Sequence, residues 1–279
     1  MSPSGTQPIQ RMRPALGTFV EISAAGRPPD QLIAAIDRAF ADIARVERLM
    51  SFHQPESDIG RVNRSHGAIE IHPWTARVLR LALRLAQTSA HRFNPTVGGE
   101  LVTRGRLPDP ATAFIASGHA DDIRLEGTRL QRLRPVLITL DGIAKGWAVD
   151  RAIARLKACG VSDAVVNAGG DWRCFGTPRV IRLDSNAGCI ALGQLTNGAC
   201  ATSAAGRNAQ DFPAQLIAGS EPVRYGQWTV IARYAWLADA LTKVAAATAN
   251  DEAPEVIRQL GGQLLDPTAP PPPILLDDI

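Results

Sequence analysis

Four short stretches hold residue types able to grip a phosphate. The first is Thr139 to Gly146, TLDGIAKG, where an apolar run ends, Gly142 allows close backbone approach and Lys145 opens a helical pattern. Phosphate oxygens resting on helix N-terminal amides, with Lys145 as a point charge, is one chemistry this arrangement offers. A plain strand–turn–helix connection has the same spacing. The second stretch, Asn167-Ala168-Gly169-Gly170-Asp171, closes a buried-looking run with two glycines, either as a tight turn or as bare backbone against a ligand. The third, Ala201-Thr202-Ser203-Ala204-Ala205-Gly206-Arg207, offers hydroxyls, a glycine and a cation, or simply a hydrogen-bonded loop. In the fourth, Ala238 to Lys243, a helix would put Asp239 and Lys243 four apart on one face, as a salt bridge or as part of a site.

Only three lysines (Lys145, Lys157 and Lys243) stand among 30 basic residues, so a lysine at a tight turn stands out from generic arginine surface. The chain has 279 residues, 45% hydrophobic and 20% charged, with a formal net charge of +3, and belongs to the globular class. No apolar run approaches the ~18 residues of a membrane helix, which predicts no stable membrane insertion. The first residues, MSPSGTQPIQRMRPALGTF, contain neither an apolar signal core nor a lipid-anchor cysteine, which predicts a cytoplasmic protein. Basic residues are scattered without interleaved aromatics; Arg77, Arg80 and Arg84 read as a solvated helix face, and no nucleic-acid partner is expected. Cys159, Cys174, Cys189 and Cys200 form no metal-binding spacing and read as reduced thiols.

These stretches need a scaffold. Thr18 to Ser23 alternates apolar and polar residues as a strand. Asp30 is placed to cap a long helix with Leu32, Ile36, Phe40, Ile43, Val46 and Met50 on one face. Residues 51–68 read as loop. A second helix starts at Pro73, and a third runs from about Ala144 to Ala158, ended by Gly160. Short strands are predicted at 123–125, 130–133, 136–140, 164–167, 179–184, 188–192, 214–218 and 228–232, and a last main helix at about 236–248. A further short helix can start at Glu252, and a Pro-rich tail begins at Pro267. Helices separated by many short strands favour α+β over a doubly wound sheet, and the dinucleotide fingerprint G-x-G-x-x-G is absent.

Taken in order, the motifs resemble the ApbE family of FAD:protein FMN transferases over roughly residues 15–250, with 1–14 as an extension and 251–279 as a C-terminal segment. The family's M-G-T resembles Leu16-Gly17-Thr18. Its M-S-T-Y…D-S…R-x-N loop is similar to Met50-Ser51-Phe52-His53…Ser57-Asp58…Arg61-Val62-Asn63. F-D-P-T-V-G resembles Phe93 to Gly98, with Asn94 for Asp. G-I-A-K-G-Y-A-V-D is matched by Gly142 to Asp150, with Trp147 for Tyr. N-A-G-G-D is identical at Asn167 to Asp171, A-T-S resembles Ala201 to Ser203, and A-D-A-L resembles Ala238 to Leu241.

The resemblance implies an α+β, T-fold-like architecture of two halves, with antiparallel sheets flanked by helices and a flavin cleft between the halves. It implies FAD held by Leu16, Gly17, Ser51, His53, Asn63, Arg92, Phe93, Asn94, Thr139, Asp141, Gly142, Lys145, Asn167, Gly169, Gly170, Thr202, Gln215 and Leu216. It implies catalysis around Asp239 and Lys145, joined in this chain by Lys243, in which FMN passes through a phosphoester to a Thr or Ser of an acceptor flavoprotein of an electron-transfer system and AMP is released. Mg²⁺ would sit on the pyrophosphate, held at the Gly142 carbonyl, Asp239 and Thr242. The chain departs from the family here: Lys243 stands where the family has a metal-binding Thr, and Ala214 to Ala218 stands where it has H-I-I-D-P. Lys243 is therefore expected to place its own charge where the ion would sit. A non-catalytic flavin carrier and an FAD pyrophosphatase remain as alternatives, and monomer and homodimer are both open.

Overall fold

The structure, a computed structural model, describes residues 7–185, 188–205 and 226–266. Its elements in chain order are β1 (Ile9–Ala15), β2 (Thr18–Ala25), α1 (Pro29–Met50), α2 (Asp58–Arg64), β3 (Ile69–Glu70), α3 (Pro73–Thr88), α4 (Gly98–Thr103), β4 (Ile123–Glu126), β5 (Arg129–Arg132), α5 (Ala144–Ala158), β6 (Asp163–Ala168), β7 (Asp171–Phe175), β8 (Arg179–Ser185), β9 (Gly188–Leu195), β10 (Ala199–Ala205), β11 (Gly226–Ala232), α6 (Ala235–Ala246), α7 (Ala253–Gln259) and β12 (Gly262–Leu265).

Seven strands make one antiparallel sheet in the order β1-β2-β6-β7-β10-β11-β12. The alternation in β2 is what lets it sit there: Val20, Ile22 and Ala24 are buried while Phe19 is exposed. On the buried face lie α1, α5 and α6, whose apolar sides join the strands in one core. The β8–β9 hairpin covers part of the other face, where Ile181, Leu192 and Leu195 meet Cys174, Cys200, Ile231 and Leu265. A small sheet, β3-β5-β4, forms the remaining strand layer. This is the mixed antiparallel architecture that the sequence predicts.

Several details differ from expectation. α1 begins at Pro29, with Pro28 at its cap and no side-chain cap bond; Asp30 lies inside the first turn. Proline needs no N–H partner at a helix start and presets the helical φ, so it takes over the role expected of Asp30. The expected loop 51–68 contains α2, whose Ser57 hydroxyl accepts from the Gly60 amide at 2.8 Å. Seven residues are too few for a legible helical period. The expected strand 136–140 makes only one isolated bridge, Val97 to Leu137. β1 and β12 were not anticipated, and the hydroxyl stretch 201–205 lies in β10 rather than in a loop. The expected strand 214–218 and the tail from Pro267 lie outside the described residues. Cys159, Cys174 and Cys200 are free thiols.

Candidate functional site

Three turns meet around a cavity of about 490 Å³, within the range of ~300–1,000 Å³ typical of small-ligand sites. The β1–β2 turn supplies Leu16 (φ 56°) and Gly17 (φ 71°), and the Leu16 amide donates to Glu47 Oε1 at 3.0 Å, fastening the hairpin to α1. The end of α1 supplies Val46, Glu47 and Met50, followed by Ser51, Phe52, His53 and Gln54. That segment is folded back hard. The Ser57 hydroxyl donates to the Ser51 carbonyl at 2.5 Å, and a Cβ on Gly60 would stand 2.2 Å from the Gln54 carbonyl oxygen. The third wall is Leu140, Asp141, Gly142, Ala144 and Lys145 at the start of α5.

The third wall is fixed from behind. Asn63 on α2 donates to the Ile138 carbonyl and accepts from the Ile138 amide, both at 2.8 Å, and is buried. Thr139 is also buried, its hydroxyl accepting from the Asp141 amide at 3.2 Å. Gly142 turns the chain at φ 89°, a conformation glycine adopts without strain. Among the described residues no side chain makes a cap hydrogen bond to α5, and its first turn carries no acidic residue, so its N-terminal positive end is not offset by a capping group.

Lysines and aspartates gather beside this wall. Lys145 Nζ lies 2.8 Å from Asp171 Oδ2, and Asp171 is only 2% exposed. Lys243 on α6 pairs with the fully buried Asp239 and donates to Ser203 Oγ on β10 at 3.1 Å. Ser203 Oγ and Thr242 Oγ1 are 2.7 Å apart, and the Thr242 hydroxyl donates to the Asp239 carbonyl at 2.7 Å. Asp150, on α5, fixes how α6 approaches: it accepts from the Ala235 and Trp236 amides at 3.0 Å each and pairs with Arg173 at 2.6 Å. Gly146 permits that approach, since a Cβ there would stand 2.3 Å from the Ala235 carbonyl oxygen.

Burial, together with the nearby Asp239 charge, pushes the Asp171 carboxyl up to about 6, with Lys145 and Lys243 opposing. Burial presses the Lys145 ammonium toward neutrality, but Asp171 and Asp239 outweigh it and hold its pKa above the ordinary lysine value. Both partners rise because each answers a different neighbour: Lys145 faces several carboxylates, whereas Asp171 faces desolvation and a like charge. Crowding by protein raises Asp141 as well, against the Thr139 hydroxyl, His53 and Lys243. Asp141 is nevertheless solvent-exposed toward the cavity, so water screens its shift below what enclosure alone would give.

The structure thus gathers Leu16, Gly17, Ser51, His53, Asp141, Gly142 and Lys145 around one cavity. Asn63 and Thr139 stand behind its wall. The Asn167–Gly170 turn lies beside the β1–β2 hairpin: Asn167 Oδ1 accepts from the Gly170 amide at 3.0 Å, and a Cβ on Gly169 would stand 2.6 Å from Thr18 Oγ1. Thr202 pairs with Thr229 across β10 and β11 at 3.0 Å. Phe93 lies in the core and Arg92 is half-buried. Asn94 is bound elsewhere, donating to the Gly118 carbonyl at 2.9 Å and accepting from the Thr96 amide at 2.9 Å. None of these last three lines the cavity. Gln215 and Leu216 lie outside the described residues. Sequence reasoning missed Glu47 and Asp150 as site-building residues. Their only signal is an acid beside an apolar helix face.

A divalent ion at Asp239 fits this donor set poorly. Lys243 already holds Asp239 Oδ1, the Thr242 hydroxyl is committed to Asp239 and Ser203, and an ammonium cannot ligate a metal. Among the described residues, no group of three or more His, Cys, Asp and Glu is placed to hold a metal ion.

A mixed α/β scaffold with an antiparallel seven-stranded sheet, carrying a cleft at an uncapped helix start with paired lysines and aspartates, defines the class. The ApbE family model matches residues 16–265, and the chain belongs to the ApbE family. It is similar to the FAD:protein FMN transferase of Rhodobacter capsulatus, 30% identical over 175 residues, which cover 57% of this chain and 33% of that protein. It is also similar to the one from Vibrio cholerae, 26% identical over 183 residues, covering 60% and 54%. The match thus spans about a third to a half of these curated relatives. The fold matches the crystal structure of the apo form of Pseudomonas stutzeri flavinyl transferase ApbE, with a TM-score of 0.79 at 17% identity over 95% of this chain and 96% of that one. It also matches the ApbE protein of Thermotoga maritima, with a TM-score of 0.76 at 23% identity over 92% and 93%. No helix among the described residues is long and apolar enough to cross a membrane.

Proposed function

We propose that the chain binds FAD in the cavity and transfers FMN to a Thr or Ser hydroxyl of an acceptor protein, with release of AMP. The observation that carries this is the α5 start and Lys145 lining the cavity, with Lys243, which binds Asp239 and Ser203, packed against the Gly142 turn of the same wall. A diphosphate is the part of FAD that suits it: two cations and helix amides offset its charge, while the missing side chain at Gly142 leaves room for the Lys243 stem. Chemically, the acceptor oxygen forms a bond to the FMN-side phosphorus, the P–O bond to the bridging oxygen breaks, AMP leaves with that oxygen and its electron pair, and the hydroxyl proton passes to a carboxylate or to water. A buried carboxyl with a pKa of about 6, as at Asp171, is suited to proton traffic near neutrality. Positioning and charge neutralisation are most of what phosphoryl transfer asks of a protein. The match to curated FAD:protein FMN transferases supports transfer to a protein acceptor; an acceptor from a flavin-using electron-transfer system is part of the proposal.

The test is incubation of the purified chain with FAD and a Thr-bearing acceptor segment. Flavin fluorescence that stays on the acceptor through a denaturing gel, with an equimolar amount of AMP, is the expected result. AMP without labelled acceptor would mean hydrolysis instead. Bound flavin without AMP would mean a carrier.

A further inference from the structure

We infer that the Lys243 ammonium is a tethered replacement for the divalent cation at the diphosphate, so that this chain grips its nucleotide without metal. The inference rests on the flavin reading for the identity of the ligand, but its own support is geometric. Lys243 has three N–H donors. One goes to Asp239 and one to Ser203, which leaves a third for a phosphate oxygen. The side chain is 16% exposed, so it is not fully enclosed.

Its stem is held in place. A Cβ on Gly142 would stand 2.9 Å from Lys243 Cε and 3.4 Å from Cδ, so the methylenes lie against the backbone of the same turn that walls the cavity. The side chain is thus packed against the Gly142 turn. Asp239 anchors it there: that carboxylate is fully buried, and its Oδ2 has no hydrogen-bond partner among the described residues. Swinging Lys243 out to admit an ion would strand a buried charge. An ion placed on Oδ2 instead would sit one carboxylate width from the ammonium on Oδ1 and repel it. Mg²⁺ also demands near-octahedral oxygen ligation and dehydrates reluctantly. Thr242, the nearest spare hydroxyl, already bonds Asp239 and Ser203.

The experiment measures FAD affinity by quenching of flavin fluorescence, in EDTA and in millimolar magnesium. Inorganic pyrophosphate, read by thermal shift, serves as the ligand without flavin. For the native chain, the inference expects FAD affinity to change less than about twofold between the two conditions. For Lys243→Thr, it expects a loss of roughly tenfold or more in EDTA, the size of a lost charge-assisted hydrogen bond, with magnesium restoring part of it. Lys243→Met paired with Asp239→Asn leaves no stranded charge, and is expected to lose affinity in both conditions. Native binding that requires magnesium overturns the inference, as does unchanged metal-free binding in the paired variant. Metal-free binding of pyrophosphate without binding of FAD keeps the tethered cation and removes the flavin reading. Binding of neither ligand removes both.

Discussion

Replacing Lys145 with Met isolates the electrostatics of the site. Asp171 is 2% exposed, and Lys145 Nζ at 2.8 Å is its salt-bridge partner. In the native chain the Asp171 pKa is raised from 3.8 to about 6 by burial and by Asp239, with Lys145 holding it down. The folded state therefore keeps a proton that the unfolded state releases. Stability from this group is fully present below the unfolded value and is lost as pH rises from 3.8 to about 6. Beyond that the native curve levels. Without Lys145 the folded pKa climbs further, and the loss continues past pH 6 at about 1.4 kcal/mol for each pH unit. Lys145→Met is thus expected to cost little at pH 5 and about 2–3 kcal/mol at pH 8, near the lower end for breaking a buried pair because Lys145 is itself 35% exposed. Urea unfolding of both proteins at the two pH values reads this directly. A difference in stability that is the same at pH 5 and pH 8 would refute the reasoning, for it would mean that Asp171 does not titrate through the pair.

Asn63→Ala leaves both the amide and the carbonyl of Ile138 without their buried partner, and is expected to cost about 2–5 kcal/mol at one to a few kcal/mol for each orphaned group. An unfolding free energy from urea titration within about 0.5 kcal/mol of native, the size of an ordinary surface change, would show that this staple is dispensable. Asp150→Ala removes the cap of α6 and strands Arg173, which is 13% exposed. The expected loss is about 3–5 kcal/mol, read as a lowered thermal midpoint. Asp150→Asn, which retains an acceptor for the Ala235 and Trp236 amides, is expected to recover part of it, and equal losses in both variants would point to the Arg173 charge alone.

The helix at Ala144–Ala158 and its glycine stop were legible because both are local matters. A glycine at positive φ, an apolar face at helical spacing and a Lys in the first turn are decided within a few residues, and Gly142 and Gly160 have φ of 89° and 74°. The Asp239–Lys243 pair was legible for the same reason, since four residues on a helix make neighbours. α2 was not legible, because its stability comes from Ser57 and from packing under the cavity loop rather than from a periodic pattern. The hydroxyls at Thr202 and Ser203 stayed open between a ligand grip and a hydrogen-bonded loop, because a strand there shows itself only through its pairing with β11.

The sequence by itself determined the family, the helices with a clear apolar face and the glycines that let backbone come close, since each depends on short-range patterns and sterics. Only the tertiary structure decided which charges meet. Lys145 finds Asp171 through the packing of α5 against β7, Ser203 reaches Lys243 across the β10–α6 contact, and Asn94 spends its bonds on the Gly118 loop rather than on the cavity. Charge state followed from that assembly too: desolvation depends on everything packed around a group, and no stretch of sequence carries that information alone.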